Sequence, residues 1–166
     1  MIDTSIENIK KKINLTLDET EQLFDKIFNG EVNTNSLTSL LDALDKKGET
    51  PDELAGATTS MRKNSKSIDV NHNQVIDCCG TGGLGKKMIN VSTSVSFVLA
   101  AAGLKVAKHG NRTATGKSGS ADFLEAAGIN LNKSSEYFSD SLDKIGLGFL
   151  FAQNHHPGMK YVMEAR

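Results

Sequence analysis

Apolar residues in the first 65 positions recur at three- and four-residue steps. Leu23, Phe24, Ile27 and Phe28 form one stripe, and Leu37, Leu40, Leu41 and Leu44 a second. This spacing predicts amphipathic helices. Thr4-x-x-Glu7, Thr16-x-x-Glu19 and Thr50-x-x-Glu53 read as capping boxes, the last with Pro51 at the first helical position. Asn29-Gly30 and Lys46-Lys47-Gly48 supply stops. Four short helices are predicted over a domain spanning 1–67. It has no titratable cluster, and its stripes exceed what so small a bundle can bury, so it reads as a structural, dimerising module. The chain turns polar and aperiodic over 64–74. Beyond that the pattern changes to strand, turn and helix in succession. Val75-Ile76-Asp77 is a short buried strand, 80–85 a glycine turn, 92–102 a helix ended by Gly103, and Val106-Ala107 a strand. Helices follow over 120–127 and 134–144, then the strand Phe149-Leu150-Phe151-Ala152 and a helix from 158 to 165. The fold class is α/β: a small N-terminal helical domain, then an incomplete, mostly parallel sheet with crossover helices over 68–166.

Composition narrows the function classes. With 38% hydrophobic residues, 5% aromatic and no Trp, the core rests on Leu, Ile, Val and Ala. Nineteen basic against 20 acidic residues give a net charge of -1, which argues against a nucleic-acid partner. No apolar run approaches the roughly 20 residues of a membrane span. No basic, then apolar, leader opens the sequence, and the two cysteines, Cys78 and Cys79, are adjacent. A cytoplasmic protein without a membrane partner is expected.

The 15 glycines stand against only 2 prolines, and their placement carries the chemistry. Gly80-Thr81-Gly82-Gly83-Leu84-Gly85 follows a strand, where glycine lets backbone amides approach an anion. As a dinucleotide fingerprint it lacks an acidic residue about 20 positions on. As a P-loop it has Lys87 where Ser or Thr is needed. A ligand-free tight turn is the third reading. Asn90-Val91-Ser92-Thr93 opens the next helix, where free amides attract phosphate, although ordinary N-capping would also use Ser92 and Thr93. Lys108-His109-Gly110-Asn111-Arg112 ends a strand, and Gly116-Lys117-Ser118-Gly119-Ser120 opens another helix. Three successive strand ends thus carry glycine, hydroxyl and basic residues at the edge where parallel sheets bind ligands. A phosphate-rich small molecule suits all three.

These motifs, with Ser118-Gly119-Ser120-Ala121-Asp122, Phe149-Leu150-Phe151-Ala152, His156-Pro157 and Arg166, resemble in order and spacing those of anthranilate phosphoribosyltransferases. The resemblance covers nearly the whole chain. It implies transfer of a phosphoribosyl group from phosphoribosyl pyrophosphate to the amine of anthranilate, releasing pyrophosphate, in tryptophan biosynthesis. It also implies magnesium and a homodimer formed through the helices. Phosphoribosyl pyrophosphate would be held by Gly80, Gly83, Leu84, Met88, Asn90, Val91, Ser92, Thr93, Lys108, His109, Gly110, Asn111, Arg112, Thr113, Ala114, Thr115, Gly116 and Ser120. Anthranilate would contact Gly80, Asn111 and Arg166, and Ser92 would touch the metal. No catalytic side chain is assigned. Cys78 and Cys79 have no base partner and are expected to pack at a strand end, as the His155-His156 pair is at a helix start.

Two departures follow from the same comparison. Leu84 stands where the family pattern has an acidic residue, and Met88 where it prefers Thr. The family's Asp-Glu metal pair falls beyond Arg166, so the α/β domain is expected to be truncated on its C-terminal side. An inactive fragment, or a degenerate phosphate-binding and dimerisation module, is the alternative expectation.

Overall fold

The computed structural model describes residues 2–72, 74–80, 89–113 and 118–165. The chain divides into two compact units. One comprises Met1–Lys66 with His156–Arg166, and the other Ser67–His155.

The first unit is helical: α1 (Ile2–Lys10), α2 (Leu17–Phe28), α3 (Thr34–Lys47) and α4 (Pro51–Lys63), joined by a 3₁₀ turn at Pro157–Tyr161. The Thr16/Glu19 and Thr50/Glu53 boxes form as read, each hydroxyl and carboxylate satisfying the other residue's amide. The Thr4/Glu7 box does not form, because Thr4 already lies inside α1. Asn33 caps α3 by accepting from the Ser36 amide. Leu23, Ile27, Phe28, Leu37, Leu40 and Leu44 all enter one core with Ile6, Ile9 and Leu15. The bundle thus buries most of both stripes itself, with Phe24 and Leu41 only partly buried against that core. Among the described residues of this unit, the exposed large apolar side chains are Ile13, Leu17, Leu54, Tyr161 and Met163.

Helices α2 and α4 cross closely at Gly56, where a Cβ would lie 2.4 Å from the Leu17 carbonyl oxygen. Glu53, 2% exposed, sits at the centre of the polar network. Its Oε2 accepts from Lys47 Nζ at 2.8 Å and from the Thr50 amide, and its Oε1 from the Leu15 amide at 3.0 Å. Burial alone would raise this carboxyl; Lys47 and the backbone amides outweigh burial and hold it below the usual range. The helix expected over 158–165 is instead the 3₁₀ turn. Gly158 sits against Phe28, and Met159, Val162 and Ala165 pack on the bundle core, a contact that a regular helix pattern does not encode.

The second unit contains α5 (Val91–Ala101), β1 (Val106–Gly110), α6 (Ser120–Ala126), α7 (Ser135–Ile145), β2 (Leu147–Phe151) and α8 (Ala152–His155). Strands β1 and β2 are parallel, in register from Val106 opposite Leu147 to Gly110 opposite Phe151. The strand expected at Val75-Ile76-Asp77 is reduced to one parallel bridge, Ile76 to Val106, and Ile76 is 38% exposed rather than buried. The ladder stops there because the next residue, Asp77, bonds through its side chain. Two glycines permit tight packing. Gly146 adopts the left-handed conformation that ends α7, and a Cβ on Gly148 would lie 2.4 Å from the Phe138 ring. Ala121, Leu124, Leu131 and Phe151 form a small core beneath α6.

Candidate active site at the ends of parallel strands

Four segments of the second unit meet at the C-terminal end of β1, joined by side-chain hydrogen bonds. From the first, Asp77 Oδ1 accepts the Cys79 amide at 3.0 Å and the His109 amide at 3.2 Å. One carboxylate thus ties Cys79, next to Gly80, to the strand bearing Lys108 and His109. Cys78 Sγ donates to the Ser92 carbonyl at 3.2 Å, fixing Cys78 to the first turn of α5. Asn90 Nδ2 donates to Ser118 Oγ at 3.1 Å, linking the start of α5 to the approach to α6. The Asn111 carbonyl accepts the Ala121 amide at 3.2 Å and the Ser120 hydroxyl at 3.3 Å, linking β1 to α6.

The local chemistry favours an anion. Asn90 occupies the N-cap position of α5 but makes no capping bond, its amide being directed at Ser118. The Val91 amide donates to the Ile89 carbonyl at 2.7 Å, while the Ser92 and Thr93 amides that follow have no acceptor among the described residues and keep their donor capacity. Thr93, in the first turn, is 1% exposed, and its Oγ1 is buried without a hydrogen-bond partner among the described residues. A buried hydroxyl left unsatisfied costs about 1–3 kcal/mol, a cost characteristic of sites that reserve a polar atom for a ligand. Lys108 is 2% exposed, and its ammonium donates to the His109 carbonyl. Burial, with the neighbouring His155 and Lys108, holds the His109 imidazole below its ordinary range, against the opposing pull of Asp77. His109 is thus a neutral imidazole at pH 7, its ring edge-on to His155 with centroids 6.0 Å apart. Burial raises the Cys78 thiol, with Lys108 opposing, so Cys78 is a packed thiol and not a nucleophilic thiolate.

The structure brings Gly80, Asn90, Val91, Ser92, Thr93, Lys108, His109, Gly110, Asn111, Arg112, Thr113 and Ser120 into the unit that these bonds assemble. Gly83, Leu84, Met88, Ala114, Thr115, Gly116 and Arg166 lie outside the described residues. Among the described residues, no group of three or more His, Cys, Asp or Glu side chains could hold a metal. Two residues escaped the sequence reading. Asp77 read as the end of a strand, and Glu125 lay unremarked within the predicted helix over 120–127. Neither has a local motif; only the approach of distant backbone reveals them.

Comparisons with known proteins identify the family of both parts of the chain. Residues 4–65 match the model of the glycosyl transferase family's helical bundle domain, and residues 72–166 that of its a/b domain. The chain is 44% identical over 165 residues to an anthranilate phosphoribosyltransferase of Pseudoalteromonas translucida, covering 99% of this chain and 46% of that relative. It superposes on the crystal structure of anthranilate phosphoribosyltransferase from Thermus thermophilus with a TM-score of 0.90 and 37% identity, over 98% of this chain and 49% of that one. The Saccharomyces cerevisiae enzyme in complex with PRPP and Mg gives a TM-score of 0.85 at 25% identity, over 99% and 50% respectively. The chain spans about half the length of the relatives it matches. Matched by both domain models in sequential order, the chain belongs to the glycosyl transferase family that joins a helical bundle domain to an a/b domain.

Proposed function

We propose that the chain supplies the phosphoribosyl-pyrophosphate-binding part of an anthranilate phosphoribosyltransferase, transferring phosphoribosyl to the anthranilate amine and releasing pyrophosphate. The observation that carries this reading is the uncapped start of α5 with its unsatisfied, buried Thr93 hydroxyl, on a unit where Lys108 is also buried. Free amides, a hydroxyl and positive charge gathered in one unit suit an anionic ligand. The names of the relatives, and the PRPP and Mg bound by the yeast protein, support the same ligand.

The chemistry needs little else from side chains. As the C1–O bond to pyrophosphate breaks, positive charge develops on the ribose and negative charge on the leaving group. Amides and lysine neutralise the latter, and placing the amine near C1 supplies much of the remaining advantage. In this reading Gly80, Asn90 to Thr93, Lys108 to Asn111, Thr113 and Ser120 surround phosphoribosyl pyrophosphate, with Gly83, Leu84, Met88, Ala114, Thr115 and Gly116 completing the set. Gly80, Asn111 and Arg166 contact anthranilate. Magnesium would neutralise pyrophosphate oxygens when bound, but among the described residues only the neutral Ser92 hydroxyl is assigned to it. A single neutral hydroxyl does not by itself fit the cation. A homodimer in the cytoplasm belongs to the same proposal.

Calorimetric titration with phosphoribosyl pyrophosphate, followed by a fluorescence assay of anthranilate consumption with and without magnesium, tests it. Saturable binding is expected, weak and with little magnesium dependence, and no turnover by these 166 residues alone. Absence of binding would overturn the reading and favour the degenerate module, which Leu84 and Met88 in the glycine segment recommend. Robust magnesium-dependent turnover would show that the metal site has been misplaced.

A further inference from the structure

Helix α5 is built the wrong way round for a surface helix. It packs against β1 and β2, yet the residues it turns inward are small and mostly polar. Thr93 and Ser96 are buried, and Ala100 lies beside Gly146 at the end of α7. These stand at i, i+3 and i+7, one helical face. The opposite face carries Val91, Val95, Val98 and the capping Ala102, at i, i+4, i+7 and i+11, with Phe97 and Ala101 on its flank, and all of them are exposed. No charged residue interrupts the run from Val91 to Gly103. A surface helix normally shows its charged face to solvent and its apolar face to the core. Here the order is reversed, and a contiguous uncharged apolar face marks an interface.

The sheet beneath α5 is open as well. Among the described residues β2 pairs with β1 alone, so its other edge has no strand, whereas parallel sheets are covered on both faces and seldom end on a bare edge. The chain spans about half the length of the relatives it matches. We propose that the outward face of α5 is an internal interface that seats the half of the relatives this chain does not match, whether that half arrives on the same polypeptide or on a separate one. The contacting face of the occupant is accordingly apolar and uncharged. A lipid surface fits less well, because α5 has no Lys or Arg to meet headgroups. The inference stands apart from the ligand reading, since it uses neither the strand-end donors nor the anion.

The test produces the 166-residue chain in one cell with the half of the Thermus thermophilus enzyme that it does not match, the latter carrying an affinity tag. Capture of the chain is expected. Val95→Glu with Val98→Glu should cut capture by about tenfold or more, because both carboxylates would be buried without partners. The helical signal should persist, glutamate being the better helix former. Ile13→Glu, the same kind of change on the helical unit, should leave capture intact. Capture that survives the double change overturns the proposal. Fusing the same half to the C-terminus of this chain gives a second measurement, in which the two pieces need not find each other. Val98 is 67% exposed, so the thiol introduced by Val98→Cys should react freely in the 166-residue chain. In the fusion it should react about tenfold more slowly or less, read at its own peptide by mass spectrometry, apart from Cys78 and Cys79. Equal reactivity in a fusion that unfolds cooperatively overturns the proposal, as does failure of both capture and protection. Protection already present in the chain alone at micromolar concentration would make a second copy the occupant, and protection only on adding anionic vesicles would make it a lipid surface; either result overturns it.

Discussion

Individual residues in this chain are held to one ionisation state by burial and partners, and pH exposes the consequences. Glu53 accepts from Lys47, Thr50 and Leu15 inside the helical unit, and its carboxyl is depressed below the unfolded value. A depressed carboxyl contributes stability that is complete above its unfolded pKa and is lost as pH falls through the folded one. The helical unit should therefore unfold more readily as pH drops below about 4.5, the ordinary glutamate value. Glu53→Gln should cost about 3 kcal/mol at pH 7, because it strands the Lys47 ammonium, 4% exposed, without its counter-charge. It should also flatten the acid dependence, as read by helical signal against denaturant. His109 works in the same direction at a higher pH. Its imidazole is held below the ordinary value of 6.5, so the unfolded chain takes up the proton first, and stability should fall as pH drops below about 6.5. A proton-NMR titration of His109 that gave an ordinary or raised pKa would contradict this. Thr93→Val removes the unsatisfied hydroxyl while keeping the shape. Unliganded stability should rise by about 1 kcal/mol while phosphoribosyl pyrophosphate binds more weakly, an inverse pair of changes that a merely structural threonine would not give.

Elements meet in this fold where a side chain is missing. The α2–α4 crossing depends on Gly56, whose hydrogen faces the Leu17 carbonyl and the Thr20 side chain. Gly56→Ala would raise intrinsic helix propensity, yet overpacking wins. A contact of 2.4 Å to backbone cannot be relieved by a rotamer change, and a loss of about 2 kcal/mol or more is expected in denaturant unfolding of the helical unit. The neck between β1 and α6 follows the same logic at Gly119, and the β2–α7 contact at Gly148 against Phe138. The capping boxes of α2 and α4 were visible as four-residue patterns because a cap is a local bond. These close crossings were not, because a glycine records only the possibility of approach and never the partner.

The molecule as a whole consists of two compact units, and the proposed homodimer is a property of the first. The bundle buries most of the Leu and Phe stripe residues, leaving Phe24 and Leu41 partly buried, whereas Ile13, Leu17 and Leu54 are exposed. If association proceeds through these residues, light scattering at micromolar concentration should give twice the 17.8 kDa chain mass. Leu54→Glu should then halve it with the helical signal intact. A monomeric parent chain would reject the dimer.

What the sequence determined by itself was everything built from neighbours in the chain. The helical stripes, the two surviving caps, the alternation of helix and strand from 91 to 151, and the hydroxyl and basic motifs at strand ends are all of this kind. They were legible because a helix face repeats every 3.6 residues and a cap closes within about four. The family resemblance, too, rested on such runs. Tertiary structure decided which groups share a charge. It sent Asp77 to the His109 amide rather than into a third strand, buried Lys108, and turned 157–161 into a 3₁₀ segment packed on the bundle. It also paired Arg112 with Glu125, 13 positions away. No periodicity encodes these choices, because each depends on backbone brought close by the packing of the whole unit, and an ion takes whichever partner that packing leaves within reach.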